Sequence, residues 1–288
     1  MLSLDEVLGI SELGLVYSLV AVGIFLSFRV LNFSDLTVDG SFGLGSAVFV
    51  SAMQVGFGLE LSLLLSFLSG AVVGLFTAFL SIRLKFGDLL GSILILYALY
   101  SVNFRIVGAS NLVIDPELIR FSSPRLYLIF TLVSLILLLL FKLLNSEFGL
   151  SLRAVGINEN LVRQFGLPLR LLKILGLSLS NALIAMAGGL FSVVSGFYDI
   201  SVGTGTLIAG LTSLIIGETF SKKMGLTLLF CVLGSFLYRL AIHIGFNSGS
   251  FGLVATDLNL ISTVVIVVFV LGQRTGGVKI SRVFYARS

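Results

Sequence analysis

The fold class this sequence predicts is an all-α polytopic membrane protein, and three observations predict it. Of 288 residues, 57% are hydrophobic and 11% charged, and the mean hydropathy is +1.14; soluble domains average about 25% charged residues. The apolar residues fall in long runs, each close to the ~20 residues a helix needs to cross a bilayer. Lys and Arg collect in alternate breaks between those runs. About eight or nine transmembrane helices follow, some short or broken and arranged as an inverted repeat, in one domain over residues 1–288.

Taken in order, the runs lie at about 12–31, 41–58, 61–82, 88–107, 126–144, 171–197, 203–219, 224–245 and 257–273. The first is expected to stay as an anchor, because Asp5, Glu6 and Glu12 stand where a signal peptide would be basic. Runs 41–58 and 203–219 are short and rich in Gly, Ser and Thr, as broken or re-entrant helices are where protein or a wet cavity covers the backbone. Thirty-two glycines against three prolines fit closely packed helices. The single cysteine, Cys231, lies within an apolar run and reads as packing, and the 25 Phe and 7 Tyr likewise read as lipid-facing and packing surface.

If the polar break at 149–170 is cytoplasmic, alternation puts fourteen Lys and Arg inside and three (Arg105, Arg120, Arg125) outside, with Arg239 inside a span. The N-terminus is then outside and the C-terminus cytoplasmic. An internal echo runs through the same scheme. Asp35-Leu-Thr-Val38 and Asp199-Ile-Ser-Val202 each follow a long run and precede a short Gly-rich one, at the inner and the outer end of their spans respectively. Repeat one is expected over about 12–107 and repeat two over 171–273 in opposite orientation, with 126–144 as connector.

The break itself has structure. Asn158 suits an N-cap, Gly166 a helix stop and Pro168 the first turn of the next helix. Between cap and stop there is room for about two turns, carrying Leu161 and Phe165 at i, i+4 with Val162 beside them. A helix this short needs a partner to be stable, so its apolar ridge either docks on another protein or belongs to an ordinary connecting loop.

Leu152-Arg-Ala-Val-Gly-Ile-Asn-Glu-Asn160 followed by Phe165-Gly-Leu-Pro168 resembles the cytoplasmic coupling loop of ABC importer permeases of the branched-chain amino acid and ribose type. Val202-Gly-Thr-Gly-Thr-Leu-Ile-Ala-Gly210 extends the resemblance. Phe28-Arg-Val-Leu-Asn-Phe-Ser-Asp-Leu-Thr-Val-Asp-Gly-Ser-Phe42, with Tyr238-Arg239 and Thr256-Asp257-Leu258, is most similar to tryptophan/tyrosine-type permeases; Asn259 departs from the basic residue expected there. The resemblance implies a permease subunit of a bacterial inner-membrane importer for a small solute, an amino acid and an aromatic one among the candidates. It also implies a second permease copy, a cytoplasmic ATP-binding subunit and an extracytoplasmic solute-binding protein. Arg153, Gly156, Asn158, Leu161, Val162, Phe165 and Gly166 would then contact or shape the ATPase-coupling element.

No enzyme chemistry is expected of the chain. There is one histidine (His243), no Cys/His cluster with metal spacing and no Gly-x-x-x-x-Gly-Lys-Ser/Thr phosphate loop, so no metal or cofactor is called for and ATP hydrolysis falls to a partner. The net charge of +4 does not imply nucleic acid. Asn32, Phe33, Asp35, Asp39 and Ser41, with Asp199, Thr204 and Thr206, have two readings: lining of the translocation path, or turns and caps at helix ends. Asp199, Glu218 and Asp257 read as span ends among headgroups, and Arg239 with Asp257 as a structural ion pair. A secondary transporter driven by an ion gradient is the alternative function, disfavoured because few ionisable groups fall at mid-depth. A scaffold would leave the polar breaks unexplained.

Overall fold

The computed structural model describes residues 4–115, 125–220, 224–247, 262–264 and 266–267. Ten α-helices occur among them: α1 (Leu4–Ile24), α2 (Val38–Val55), α3 (Leu59–Ala78), α4 (Asp88–Val107), α5 (Arg125–Asn145), α6 (Glu147–Ile157), α7 (Glu159–Gln164), α8 (Leu169–Ser195), α9 (Thr206–Phe220) and α10 (Met224–Asn247). α1 and α3 continue as π-helices, Phe25–Val30 and Phe79–Arg83. Six helices among the described residues are long and apolar enough to cross a membrane, and α2 and α9 are shorter. Most of the expected ninth run lies outside the described residues.

α1 and α8 form the centre and run antiparallel. Gly23 of α1 meets Ile184 and Ser180 of α8, and Leu31, beyond the end of α1, meets Gly176. Ser180 Oγ donates to the Gly23 carbonyl at 2.7 Å. Around this pair the two halves of the chain exchange partners: α3 packs along α8 and α10 along α1. α2 runs parallel to α8 and α9 parallel to α1. The first pairing is read from Ser41 on Asn181 and Ser46 on Ser192, the second from Gly210 on Val20 and Ile24 and from Glu218 on Arg29. That is an inverted repeat with swapped packing.

Small residues set the spacing. A Cβ on Gly45 would stand 1.8 Å from the Ala185 carbonyl oxygen, and one on Gly188 would stand 2.0 Å from that of Phe42, so α2 and α8 touch backbone to backbone.

Two short strands, β1 (Asn111–Val113) and β2 (Phe197–Asp199), pair antiparallel with Leu112 opposite Tyr198. The polar segment after α4 is thereby tied to the chain leaving α8, a link between the halves that has no sequence signal.

The structure also differs from expectation over 147–157, which is a helix, α6, where the sequence reads as a polar island. Its two glycines disfavour a helix but meet neighbours at close range: Gly149 lies on Leu143 and Leu144, and Gly156 on the carbonyl of Val30. Pro168 is the residue before α8 and not within its first turn.

Candidate functional site

The centre of the molecule is polar. α8 has 27 residues, and Asn181 lies twelve residues from its start, about 18 Å along a helix some 40 Å long. Asn181 is fully buried. Its Nδ2 donates to Asp35 Oδ2 at 2.7 Å and to the Leu177 carbonyl at 3.1 Å. Its Oδ1 accepts from Ser41 Oγ at 2.6 Å and faces Thr37 Oγ1 at 2.9 Å. Asp35 Oδ1 accepts from Thr37 N at 2.9 Å and from Thr37 Oγ1. Asp35, Thr37 and Ser41 are all at 0% exposure.

Asp35 therefore sits in a turn, but a fully buried one level with the middle of α8, whereas the sequence puts this turn at the inner end of the first span. After Val30 the chain turns back and climbs to the level of the middle of α8 before α2 begins. Asn32 makes the turn with φ +52°, a left-handed conformation asparagine tolerates better than most residues. Phe33 is 1% exposed and its N–H donates to the Ser27 carbonyl at 2.9 Å, sealing the reversal. A carboxylate at this depth persists only if its acceptor sites are filled, and three donors fill them here.

The second half repeats the device. Asp199 Oδ1 accepts from Ser201 N at 2.8 Å and from Ser201 Oγ, the same pair of bonds Asp35 makes with Thr37. The Asp-x-Thr/Ser echo is thus a shared Asx-type turn that precedes both short helices.

These short helices, α2 and α9, start at the same depth and point apart. Asp39, in the first turn of α2, accepts at Oδ1 from Leu207 N at 2.7 Å and at Oδ2 from Gly205 N at 3.2 Å, so it caps α9. One carboxylate stands between two helix N-termini, where the dipoles favour negative charge. Thr204 and Asn32 are exposed, Asp39 and Asp199 are half-buried, and Thr206 is buried with no partner for its hydroxyl among the described residues.

Glu218 lies in the last turn of α9, a span end as the sequence reads it, and it is paired there. It takes both Nε (2.6 Å) and Nη2 of Arg29 in a bidentate ion pair that pins the end of α9 to the end of α1. Arg29 lies in Phe25-Leu-Ser-Phe-Arg29, and Phe79-Leu-Ser-Ile-Arg83 is its twin; both are the π-helical ends of long spans. A search for like pentapeptides would have found this second echo. Asn181 had only one signal, a carboxamide in the middle of an apolar run. Arg239 stacks its guanidinium 3.9 Å over the ring of Tyr17, a cation–π contact; its expected partner Asp257 lies outside the described residues.

At the end of the bundle that holds Val30, α6 and α7 form a bracket. Asn158 caps α7, its Oδ1 accepting from Asn160 N at 3.0 Å and Leu161 N at 3.3 Å. Gly166 ends it with φ +72°. Val162 is completely buried, whereas Ile157, Leu161 and Phe165 are 85%, 43% and 72% exposed. Arg153 Nη2 reaches Asn145 Oδ1 at 3.5 Å. Lys173 Nζ binds Glu159 Oε1 at 2.6 Å, tying α7 to α8, and a Cβ on Gly156 would lie 2.1 Å from the Val30 carbonyl oxygen. Among the described residues no group of three His, Cys, Asp or Glu could hold a metal.

A bundle of membrane-length helices with an inverted repeat and two short helices meeting at mid-depth defines a membrane solute permease. The chain belongs to the family described as branched-chain amino acid transport system / permease component, which matches residues 7–271, and is thus a permease subunit of an ABC-type importer. It is 35% identical to a tyrosine transport system permease protein of Clostridioides difficile, over 96% of this chain and 94% of that one. It is 27% identical to an autoinducer 2 import system permease protein of Yersinia pseudotuberculosis, over 76% of this chain and 64% of that protein. Among solved structures, PsaBC from Streptococcus pneumoniae in complex with Fab shares the fold, with a TM-score of 0.53 at 14% identity over 91% of this chain and 88% of that one. These relatives are transport components and not enzymes.

Proposed function

We propose that this permease works as a pair of identical copies in a bacterial inner membrane. It receives an aromatic amino acid from an extracytoplasmic binding protein and is driven by a separate ATPase that docks on α6 and α7. The observation that carries this is the row Ile157, Leu161 and Phe165, exposed on a bracket whose other face is locked to the bundle. Three bulky apolar side chains in water invite a partner with a matching groove. Force on the bracket reaches Val30 through Gly156, passes the turn at Asn32 and arrives at Asp35 and Asn181. The work comes from ATP-driven closure of the partner and not from any residue of this chain.

In this reading α6 and α7 are cytoplasmic, in keeping with the Lys and Arg distribution, which puts the N-terminus outside and the C-terminus inside. The second copy is supported by a contrast between two largely exposed spans. α5 is the most apolar of the six and suits lipid, while α4 is the least apolar. α4 leaves Tyr97, at its midpoint, 73% exposed with no hydrogen-bond partner among the described residues. An unpaired phenol does not face hydrocarbon at mid-bilayer without cost, so this face of α4 turns to the second copy and the path between them. Asn32, Thr204 and Asp39 line the path where the halves meet, the buried ties of Asp35 and Ser41 hold its walls, and Asp199 and Thr206 shape the turn that enters α9. The likeness to a tyrosine permease supports the aromatic amino acid.

The test is Leu161→Asp with Phe165→Asp, in a transport assay reconstituted with ATPase and binding protein. Solute uptake and ATPase docking are expected to fall at least tenfold while membrane insertion is unchanged. Unchanged uptake overturns the docking claim, and uptake by the permease alone under an ion gradient makes it a secondary transporter.

A further inference from the structure

We propose that the α6–α7 end of the bundle carries a site for an anionic phospholipid, in the open groove between α3 and α8. The groove has a volume of about 850 Å³, its walls are apolar (Val72, Leu75, Phe76, Leu171), and Arg83 and Arg170 close one end. Three observations favour a lipid.

The first is length. From Val72 to Arg83 the wall rises about 16 Å, one half of a hydrocarbon core ~30 Å thick, so cationic end and apolar trough match the headgroup and tails of one leaflet.

The second is symmetry. The inverted counterpart of this groove lies between α1 and α10 around Gly14 and Phe236, and there α5 supplies a third wall through Tyr127 and Phe130. α5 is the connector between the halves and has no mate, so among the described residues the α3–α8 groove is left uncovered.

The third is charge. Arg29 and Arg83 end twin Phe-Leu-Ser-x-Arg segments, both π-helical. Arg29 is neutralised by Glu218, whereas Arg83 and Arg170 have no carboxylate partner among the described residues. A phosphodiester supplies the missing anion, and its acyl chains supply the missing wall.

This inference rests on the permease reading only for the leaflet: α6 and α7 face the cytoplasm there, so the lipid comes from the inner leaflet. The test uses the full chain in nanodiscs of equal phosphatidylglycerol and phosphatidylcholine, with retained lipid quantified by native mass spectrometry after transfer to detergent. Phosphatidylglycerol should be retained in preference. Arg83→Gln with Arg170→Gln should weaken retention roughly thirty-fold, from about 1 kcal/mol for each cation near an anionic headgroup. Arg163→Gln, an exposed arginine outside the groove, should change nothing. Leu75→Trp with Leu171→Trp, which fills the trough and keeps both charges, should displace the lipid as well. Equal retention of the two lipids, or identical behaviour of wild type and the arginine variant, overturns the proposal. So does a disulfide between copies through Phe76→Cys, which would put a second chain in the groove. No ATPase enters the assay, so loss of the coupling reading would leave its outcome standing.

Discussion

Gly203 lies on the main-chain carbonyl of Asp39, so closely that a Cβ on the glycine would stand 2.0 Å from the oxygen. The two residues hold equivalent places in the halves, each four residues after the aspartate of an Asx-type turn. The halves thus meet on themselves, at the point from which the short helices diverge.

Gly203→Ala therefore forces α2 and the α9 approach apart. Overpacking of this kind costs about 1–3 kcal/mol, and here the obstacle is backbone and does not swing aside. The melting temperature in detergent should fall and transport should be lost. Gly9→Ala, where the added methyl meets nothing within 4 Å, should leave both within error.

The pair Asp35 and Asn181 makes a second prediction. Asn181→Leu removes the Nδ2 donor from a buried carboxylate and the acceptor of Ser41 Oγ, at roughly 1–3 kcal/mol for each neutral group stranded and more for a charged one. Folding yield should collapse. The exchange Asp35→Asn with Asn181→Asp keeps one amide and one carboxylate face to face, so it should recover most of the loss of Asn181→Asp alone. Thermal unfolding of the four proteins as a double-mutant cycle measures the coupling, and additive effects would contradict the network.

Much of this was legible in the sequence because it is local. The cap at Asn158, the stop at Gly166 and the two Asp-x-Thr/Ser turns are each built from residues within a few positions. Among the described residues spans are legible from hydropathy to within a few residues, save α1, which starts well before its apolar run. What stayed hidden is non-local. Arg29 and Glu218 are 189 positions apart, and each alone reads as an ordinary span end. Counting spans puts Asp35 at a span end, and no count reveals that the seven residues after Val30 climb back to the level of Asn181. α6 has no local signal, because Gly149 and Gly156 argue against a helix and only the contacts with Leu144 and Val30 favour one.

The bracket separates by burial into two kinds of residue. Val162→Ala should cost about 0.5–1.5 kcal/mol or more through the cavity it leaves, lowering the melting temperature. Phe165→Ala, at an exposed side chain, should leave the melting temperature unchanged and weaken binding of the ATPase. If both act only on stability, the exposed row is not a docking surface.

Arg29→Gln with Glu218 left in place removes a bidentate partner from a carboxylate that is about one-quarter exposed, so the loss should be smaller than for a fully buried pair, about 1–2 kcal/mol. Arg29→Glu should be worse through like-charge repulsion, and Glu218→Arg added to it should restore part of the stability. Melting midpoints at low and at high salt check the assignment: a pair this sheltered should respond weakly to salt, and a full loss of the difference in salt would mean the pair is solvated.

Tyr97 decides what α4 faces. If its ring lines a path between two copies, Tyr97→Ala should lower uptake of an aromatic amino acid several-fold with little change in melting temperature, because a side chain 73% exposed gives the fold little. Tyr97→Phe separates hydroxyl from ring. Retained uptake would mean that the ring alone matters, by stacking, while loss as deep as in Tyr97→Ala would mean that the hydroxyl bonds the solute or the second copy. Tyr97→Cys adds geometry, since cross-linking of two copies at this position requires their α4 midpoints to be neighbours. Wild-type uptake in all three variants together with no cross-link would place this face in lipid and remove the path from α4.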